Sequence, residues 1–534
     1  MFWRKVPVDD AYHAWLTVGF ERRLLVVVRT ITALTRLLDI LSLVERDHRI
    51  QVVFTCDEEN PAIFHAGVPQ VLDRLGAAVV PWALAAKTRF DLVLAASEND
   101  ALHELDGPVV LVPHGIGFQK YYPGGEITSG MNPSRLLRDG EVVPAALALS
   151  HGIQREQLRF AAPAVLERAV VVGDPCHDRM LASVHRAAHY RAALGTGRRT
   201  LVALASTWGR HSLFGTTPEL PGLLVNALPV DEYQVAVILH PGVWAAHGPW
   251  QIRAWLGEAI GRGLALIAPE RGWQATLVAA DCVLSDEGSA ALYAAAVDKP
   301  LLLAAGKSRT TVAGSPLAAL AGQAHRLDPG GDLRAQIESI RDSHRAGSHQ
   351  AVVAQAIEHE GGSADRLTGL LYRFLDLTEP EDPAFPPVHA PVVPEARLAS
   401  FVASVDFDGA VAVVERFPHT SATLPMRHVV AHAEQAELRE LDGAAVVWSE
   451  MDGSDPAALL AGWPAARLAA ATDDTRCAVL LREGDSYELT APGVAPIALA
   501  SLAYALVTRR EPVAGRHRLR IGGRVFDVTS TRRG

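Results

Sequence analysis

Histidines that close apolar runs are the residues of this sequence best suited to chemistry. In Val109-Val110-Leu111-Val112-Pro113-His114-Gly115-Ile116-Gly117-Phe118-Gln119-Lys120, an imidazole follows a strand-like run and is set among glycines. A side chain that titrates near neutrality suits a general base for an acceptor hydroxyl, and Gly115 and Lys120 are placed to order that acceptor. The Tyr121-Tyr122-Pro123-Gly124-Gly125 stretch could close over it. The plain alternative is that the glycines shape a turn and His114 bonds the backbone. In Leu239-His240-Pro241-Gly242 a second histidine ends another apolar run, at the edge where open α/β sheets bind ligands. A structural histidine capping the next helix is the competing reading there.

Two further segments suit phosphate. Ala205-Ser206-Thr207-Trp208-Gly209-Arg210-His211-Ser212 follows an apolar run with hydroxyls, a glycine amide and an arginine, and Trp208 offers a stacking face. From Ala280 to Pro300 the sequence divides into a strand, the turn Ser285-Asp286-Glu287-Gly288-Ser289, an alanine-rich helix and a Lys299-Pro300 stop. Free N–H groups and the helix dipole converge at such a turn. Gly288 would let a phosphate approach the backbone and Ser289 would donate to it; the rival reading has Asp286 or Ser289 only capping the helix. The candidate phosphate-binding set is Ser206, Thr207, Trp208, Gly209, Asp286, Gly288 and Ser289, with helix amides replacing any metal.

These loops need strands to carry them. The first half alternates apolar runs (Leu24 to Val28, Gln51 to Phe54, Ala77 to Val80, Asp91 to Leu94, Val109 to Val112) with helical patterns, and a second series runs from Thr200 to Leu303. Strands apolar throughout, separated by helices, imply parallel sheets covered on both faces. The expected fold is α/β, with two Rossmann-like domains (1–170 on the acceptor side, 171–378 on the nucleotide-donor side) facing each other across a cleft and joined near Gly173-Asp174-Pro175. A Pro-rich stretch at 379–396 reads as a stiff linker, and 397–534 as an appended α+β or mainly β domain.

Composition sets limits. With 534 residues, 49% hydrophobic and 21% charged, the chain can bury several cores, and a net charge of −10 disfavours nucleic acid as a partner. Cys56, Cys176, Cys282 and Cys477 lie too far apart for a zinc knuckle or a redox pair. Met1 to His13 holds no signal-like apolar run, so a cytoplasmic location is expected, and apolar runs shorter than the ~20 residues of a membrane span limit membrane contact to the periphery. Gly306-Lys307-Ser308 is not a P-loop, since Leu301 stands where the motif needs glycine. Asp406-Phe407-Asp408 reads as solvent-facing acids of a strand. No Gly-x-Ser-x-Gly elbow and no His-Glu-x-x-His helix supports a hydrolase.

Strand-His-Gly at His114, Gly-Asp-Pro-x-x-Asp at Gly173 to Asp178, His240-Pro241, and Ala-Asp…Ser-Asp-x-x-Ser…Lys-Pro between Ala280 and Pro300 together resemble the CDP-glycerol glycerophosphotransferase family. More broadly they resemble GT-B enzymes, including the non-hydrolysing UDP-N-acetylglucosamine 2-epimerases. The likeness spans residues 20 to 375 or so. It implies a GT-B fold with the donor held mainly by the second domain, His114 as the catalytic histidine, and His240 and Ser289 as donor pyrophosphate contacts. Asp286-Glu287-Gly288-Ser289 stands where relatives usually carry Asp-Tyr-Ser-Ser, and Ile116-Gly117 replaces a Thr-Pro type of continuation. The expected activity is transfer of a glycosyl or alditol-phosphate group from a nucleotide diphosphate donor, the substrate and not a cofactor, to an acceptor hydroxyl, with His114 and His240 catalytic. The rivals are a sugar-nucleotide epimerase using Asp57, Glu58, Glu98 or Asp100, and a non-catalytic nucleotide-sensing scaffold. The tail suits partner contact, homo-oligomerisation or acceptor recognition equally.

Overall fold

Runs such as Leu24-Leu25-Val26 are inaccessible to solvent, which requires a layer of helices on each face of the sheet they build. The computed structural model describes residues 17–533 apart from 59–61, 63, 123–124, 305–309, 394–397, 420–423 and 453–454. Met1 to His13, Pro123-Gly124, Pro394 and Gly306-Lys307-Ser308 lie outside the described residues.

The first sheet holds β1 (Arg22–Val27), β2 (Ile50–Cys56), β3 (Val79–Pro81), β4 (Leu92–Ala95), β5 (Val109–Leu111), β6 (Ala146–Leu149) and β7 (Ala169–Val171), all parallel, in the order β3-β2-β1-β4-β5-β6-β7. The second holds β8 (Thr200–Ser206), β9 (Tyr233–Leu239), β10 (Ala265–Leu266), β11 (Cys282–Ser285), β12 (Leu301–Ala304) and β13 (His325–Leu327), again parallel, in the order β10-β9-β8-β11-β12-β13. Strand order reverses between β8 and β11, so a crevice opens beyond their carboxyl ends. Two such domains across a cleft make a GT-B fold.

The boundary expected at 378 falls differently. Helix Ser363–Leu375 leaves the second domain and buries Leu367, Leu371 and Leu375 against Leu24, Val26 and Leu37 of the first. Its amphipathic stripe was legible as a helix, but nothing in a stripe says which sheet it covers. The proline-rich stretch that follows is docked: Arg179 donates to the carbonyls of Pro386 (2.8 Å) and Pro387 (3.1 Å), Tyr190 donates to Val388 O at 3.1 Å, and Val388 is buried.

Two buried charge clusters join the domains. Arg36, from helix Ile31–Leu41 of the first domain, donates to both oxygens of Asp174 (3.3 and 2.9 Å) and to Tyr293 Oη (2.7 Å) of the second. Arg179 binds Asp39 beside it.

The tail is mainly β. Strands β14 (Ser400–Asp408), β15 (Val411–Phe417), β16 (His428–His432), β17 (Val446–Glu450), β18 (Leu468–Thr472), β19 (Arg476–Leu481), β20 (Ser486–Thr490), β21 (Gly515–Ile521) and β22 (Arg524–Arg533) close a barrel in the order β14-β15-β21-β22-β20-β19-β18-β17-β16. Helix Pro496–Arg509 shares the core of the barrel walls, and Ala498, Ala500, Ala503 and Ala505 let the strands come close. Strands β16, β17 and β18 run parallel, linked by helices Leu438–Asp442 and Pro456–Gly462, as a βαβαβ unit within the barrel. On β14, Asp408 meets Arg520 at 3.0 Å and Asp406 accepts from Phe407 N. The four cysteines are buried free thiols. Among the described residues no helix is long and apolar enough to cross a membrane.

Candidate functional site

The crevice beyond β8 and β11 is organised by one carboxylate. Asp286, just past β11, accepts from Thr207 N (2.9 Å), Thr207 Oγ1 (2.9 Å), Ser206 Oγ (3.2 Å) and Leu213 N (2.8 Å). Ser206 Oγ also accepts from Phe214 N at 2.9 Å. The expectation gave Asp286, Ser206 and Thr207 to phosphate. Asp286 holds the neighbouring loop and does not line the cavity; Ser206 and Thr207 do line it, with the Thr207 hydroxyl donating to Asp286 and Ser206 Oγ placed to donate to Asp286 or to Thr207 O at 3.1 Å. Gly209 turns that loop in the left-handed region (φ 89°) and its carbonyl accepts from Ser212 Oγ, away from the cavity wall.

The donors that do face the cavity come from backbone and imidazole. Gly288 precedes helix Ser289–Ala296, and among the described residues no side chain caps that helix, so the Ser289 end keeps its amides for a ligand. The glycine is demanded by packing: a Cβ there would lie 2.4 Å from Thr207 Cγ2. Gly288→Ala should therefore push the Thr207 loop aside and cost about 1–3 kcal/mol, read as a lower denaturant midpoint together with weaker nucleoside diphosphate binding in calorimetry. His240 caps helix Pro241–Gly261, as the competing reading had it: its Nδ1 accepts from Gly242 N at 2.9 Å. That bond leaves the proton on Nε2, so the ring also presents a donor. Burial, with the His114 imidazole and the Lys120 ammonium nearby, pushes its pKa down to about 3 and keeps it neutral.

Across the gap stand the residues of the first domain. His114 follows β5 with its ring open to the cleft; desolvation lowers its pKa below the ordinary 6.5, against the opposing pull of Glu98. Lys120 has its pKa lowered by burial, opposed by Asp286 and Glu287. Gly115 approaches Ser289 so closely that a Cβ would sit 3.0 Å from Ser289 Oγ. Backbone pairing closes the same seam, with Tyr121 N donating to Thr310 O (2.7 Å) and Val312 N to Gln119 O (2.9 Å).

One cavity of about 210 Å³ is walled by His114, Gly115 and Lys120 from the first domain and Ser206, Thr207, Trp208, His240, Gly288 and Ser289 from the second. Sequence reasoning missed its floor, Arg36, Asp39 and Tyr293, and Phe64, whose ring meets Trp208 at 4.7 Å and His240 at 6.5 Å between centroids. The acids of the epimerase reading are elsewhere: Asp100 pairs with Arg29 at 2.7 Å, Glu98 accepts from Tyr122 and Gly130 N, and of Asp57, Glu58, Glu98 and Asp100 none lines this cavity. Glu98 lines an adjoining pocket of about 110 Å³ that shares His114, Gly115, Lys120 and Ser289 with the cavity.

No protein-family model matches the chain, and no curated protein is significantly similar to it in sequence. Among solved structures it is similar to the wall teichoic acid polymerase TagF, at 12% identity and TM-score 0.47 over 67% of this chain and 89% of that one. It is also similar to MnaA of S. aureus, solved with UDP (12% identity, TM-score 0.41, 68% of this chain and 100% of that one). The UDP-GlcNAc 2-epimerase of Methanocaldococcus jannaschii aligns at 12% identity and TM-score 0.42, over 66% of this chain and 99% of that one.

Proposed function

We propose that this chain transfers a glycosyl or alditol-phosphate group from a nucleotide diphosphate donor to an acceptor hydroxyl. The observation that carries the reading is the convergence, on one cavity between the domains, of a neutral imidazole and an ammonium from one side and uncapped helix amides and an imidazole N–H from the other. His114 takes the acceptor proton as the hydroxyl oxygen bonds to the transferred group; the bond to the leaving nucleotide oxygen breaks, and negative charge collects there. The helix end at Ser289, the Nε2–H of His240 and the Lys120 ammonium neutralise it. Preorganised donors of this kind are each worth ~10²–10³ in rate.

Trp208, 42% exposed at the rim, is placed to take the face of the base. The cavity is smaller than the ~300–1,000 Å³ usual for ligand sites, so donor binding must part the Phe64–Trp208 contact or the domains themselves. Nucleoside diphosphate at a hundred times its Kd is expected to stabilise the full chain by about 2.7 kcal/mol in thermal unfolding. Product that forms only when an acceptor alcohol accompanies the nucleotide-linked donor identifies transfer; product from donor alone identifies isomerisation. If no nucleoside diphosphate raises the melting temperature, the reading fails.

A further inference from the structure

A second opening lies away from the cleft, between the donor domain and the barrel, with a volume of about 740 Å³. Tyr233, Gln234 and Val235, which line it, begin strand β9, whereas His240 follows the end of that strand. Seven residues of strand put the two places roughly 20 Å apart. The opposite wall is formed by Gln435, Trp448, Glu450, Thr472 and Asp474. These residues stand at or just beyond the carboxyl ends of β16, β17 and β18, the three parallel strands of the βαβαβ unit. That is the edge at which parallel sheets take ligands, and here it faces open volume within the usual range for a ligand site.

The charges along the opening are largely matched already. Arg416 binds Asp231 in two bonds (2.8 and 2.5 Å), Arg262 meets Glu258 at 2.5 Å, Asp473 meets Arg476 at 2.6 Å, and Glu450 accepts from His432 at 2.7 Å. Arg199 spends its donors on the carbonyls of Gly195, Thr196 and Val230 and on Gln234. A strongly charged ligand would have to compete with these pairs. A neutral ligand rich in hydroxyls can instead hydrogen-bond the exposed Asp474 carboxylate, the Gln435 amide and the Thr472 hydroxyl, and lay a C–H face on the half-buried Trp448 indole.

We propose that this junction is a binding groove for a saccharide chain, held by Trp448, Gln435 and Asp474 at the carboxyl edge of the barrel's parallel strands. The inference does not depend on the transferase reading of the cleft.

The test uses the full chain labelled with 5-fluorotryptophan, with the Trp448 resonance assigned through Trp448→Phe. Hexasaccharides of α-1,4-glucose, β-1,4-glucose and β-1,4-N-acetylglucosamine are titrated in. At least one is expected to shift the Trp448 signal while the Trp208 and Trp273 signals, which report the cleft, stay in place. Gln435→Ala and Asp474→Ala change exposed side chains, so folding should survive, and each should weaken that binding at least tenfold. A Trp448 signal unmoved by all three sugars overturns the proposal, as do shifts confined to Trp208 and Trp273 or an affinity indifferent to both surface variants.

Discussion

His114→Ala is expected to lower turnover by ~10²–10⁴-fold while nucleoside diphosphate affinity is retained, because the imidazole faces the acceptor side, whereas the helix amides at Ser289 and the His240 N–H belong to the other domain and Lys120 is left in place. The pH profile makes the expectation sharper. Desolvation holds the His114 pKa below 6.5, so the basic form dominates at neutral pH and the acid limb of kcat/KM should fall below pH 6.5. The Arg36 guanidinium on the cavity floor disfavours a cationic His114 and reinforces that direction, while Glu98 and a hydrogen bond to the Ala96 backbone oppose it. Steady-state rates across pH 4 to 9 on the wild type and the alanine variant check both points. Full turnover in the variant, or a limb above pH 6.5 in the wild type, would remove His114 from the chemistry.

The largest expected effect on stability comes from the interdomain charge cluster. Arg36 and Asp174 are 3% and 1% exposed, so Asp174→Ala leaves the guanidinium buried, still donating to the Tyr293 hydroxyl but without its carboxylate partner. Breaking such a pair costs ~3–5 kcal/mol, and the first denaturant transition should move to lower concentration accordingly. Replacing both partners, as in Arg36→Met with Asp174→Leu, should recover much of the loss. For the wild type, burial pushes the Asp174 carboxyl up, but the Arg36 charge and its hydrogen bonds outweigh it and hold the pKa below 3.8. A depressed carboxyl contributes stability that is present above its unfolded pKa and lost as pH falls through the folded one. The contribution of Asp174 should therefore persist at pH 4 and vanish only in stronger acid, while in the alanine variant that acid-sensitive component should be missing from the unfolding curves.

Much of the scaffold could be read directly. Runs such as Val109 to Val112 and Val235 to Leu239 are apolar throughout because parallel strands are buried on both faces, and that alone locates His114 and His240 at strand ends. What composition and spacing could not supply was which hydroxyl meets which carboxylate. Ser206 and Thr207 have the right chemistry for phosphate, but Asp286, eighty positions on, accepts from Thr207 and is within reach of Ser206 Oγ once β8 and β11 lie side by side. Arg36 and Asp39 were hidden in the apolar stretch from Ile31 to Val44; two charges on the buried face of a helix were the available signal that something must pair with them. Phe64 had no signal at all, since its contact with Trp208 spans two domains. Helix Pro496–Arg509 was not recognised because a helix enclosed by barrel walls needs no polar face, and its run of alanine, leucine and isoleucine lacks the periodicity that marks a surface helix.

The return of helix Ser363–Leu375 to the first sheet means that the two lobes are not separable by a single cut. A fragment ending near residue 170 would present a greasy trough where Leu367, Leu371 and Leu375 normally rest, and the remainder would carry an orphaned amphipathic segment. Severed pieces should consequently be insoluble apart and reassociate when co-expressed, with residues 363–375 acting as the plug that one half lends the other.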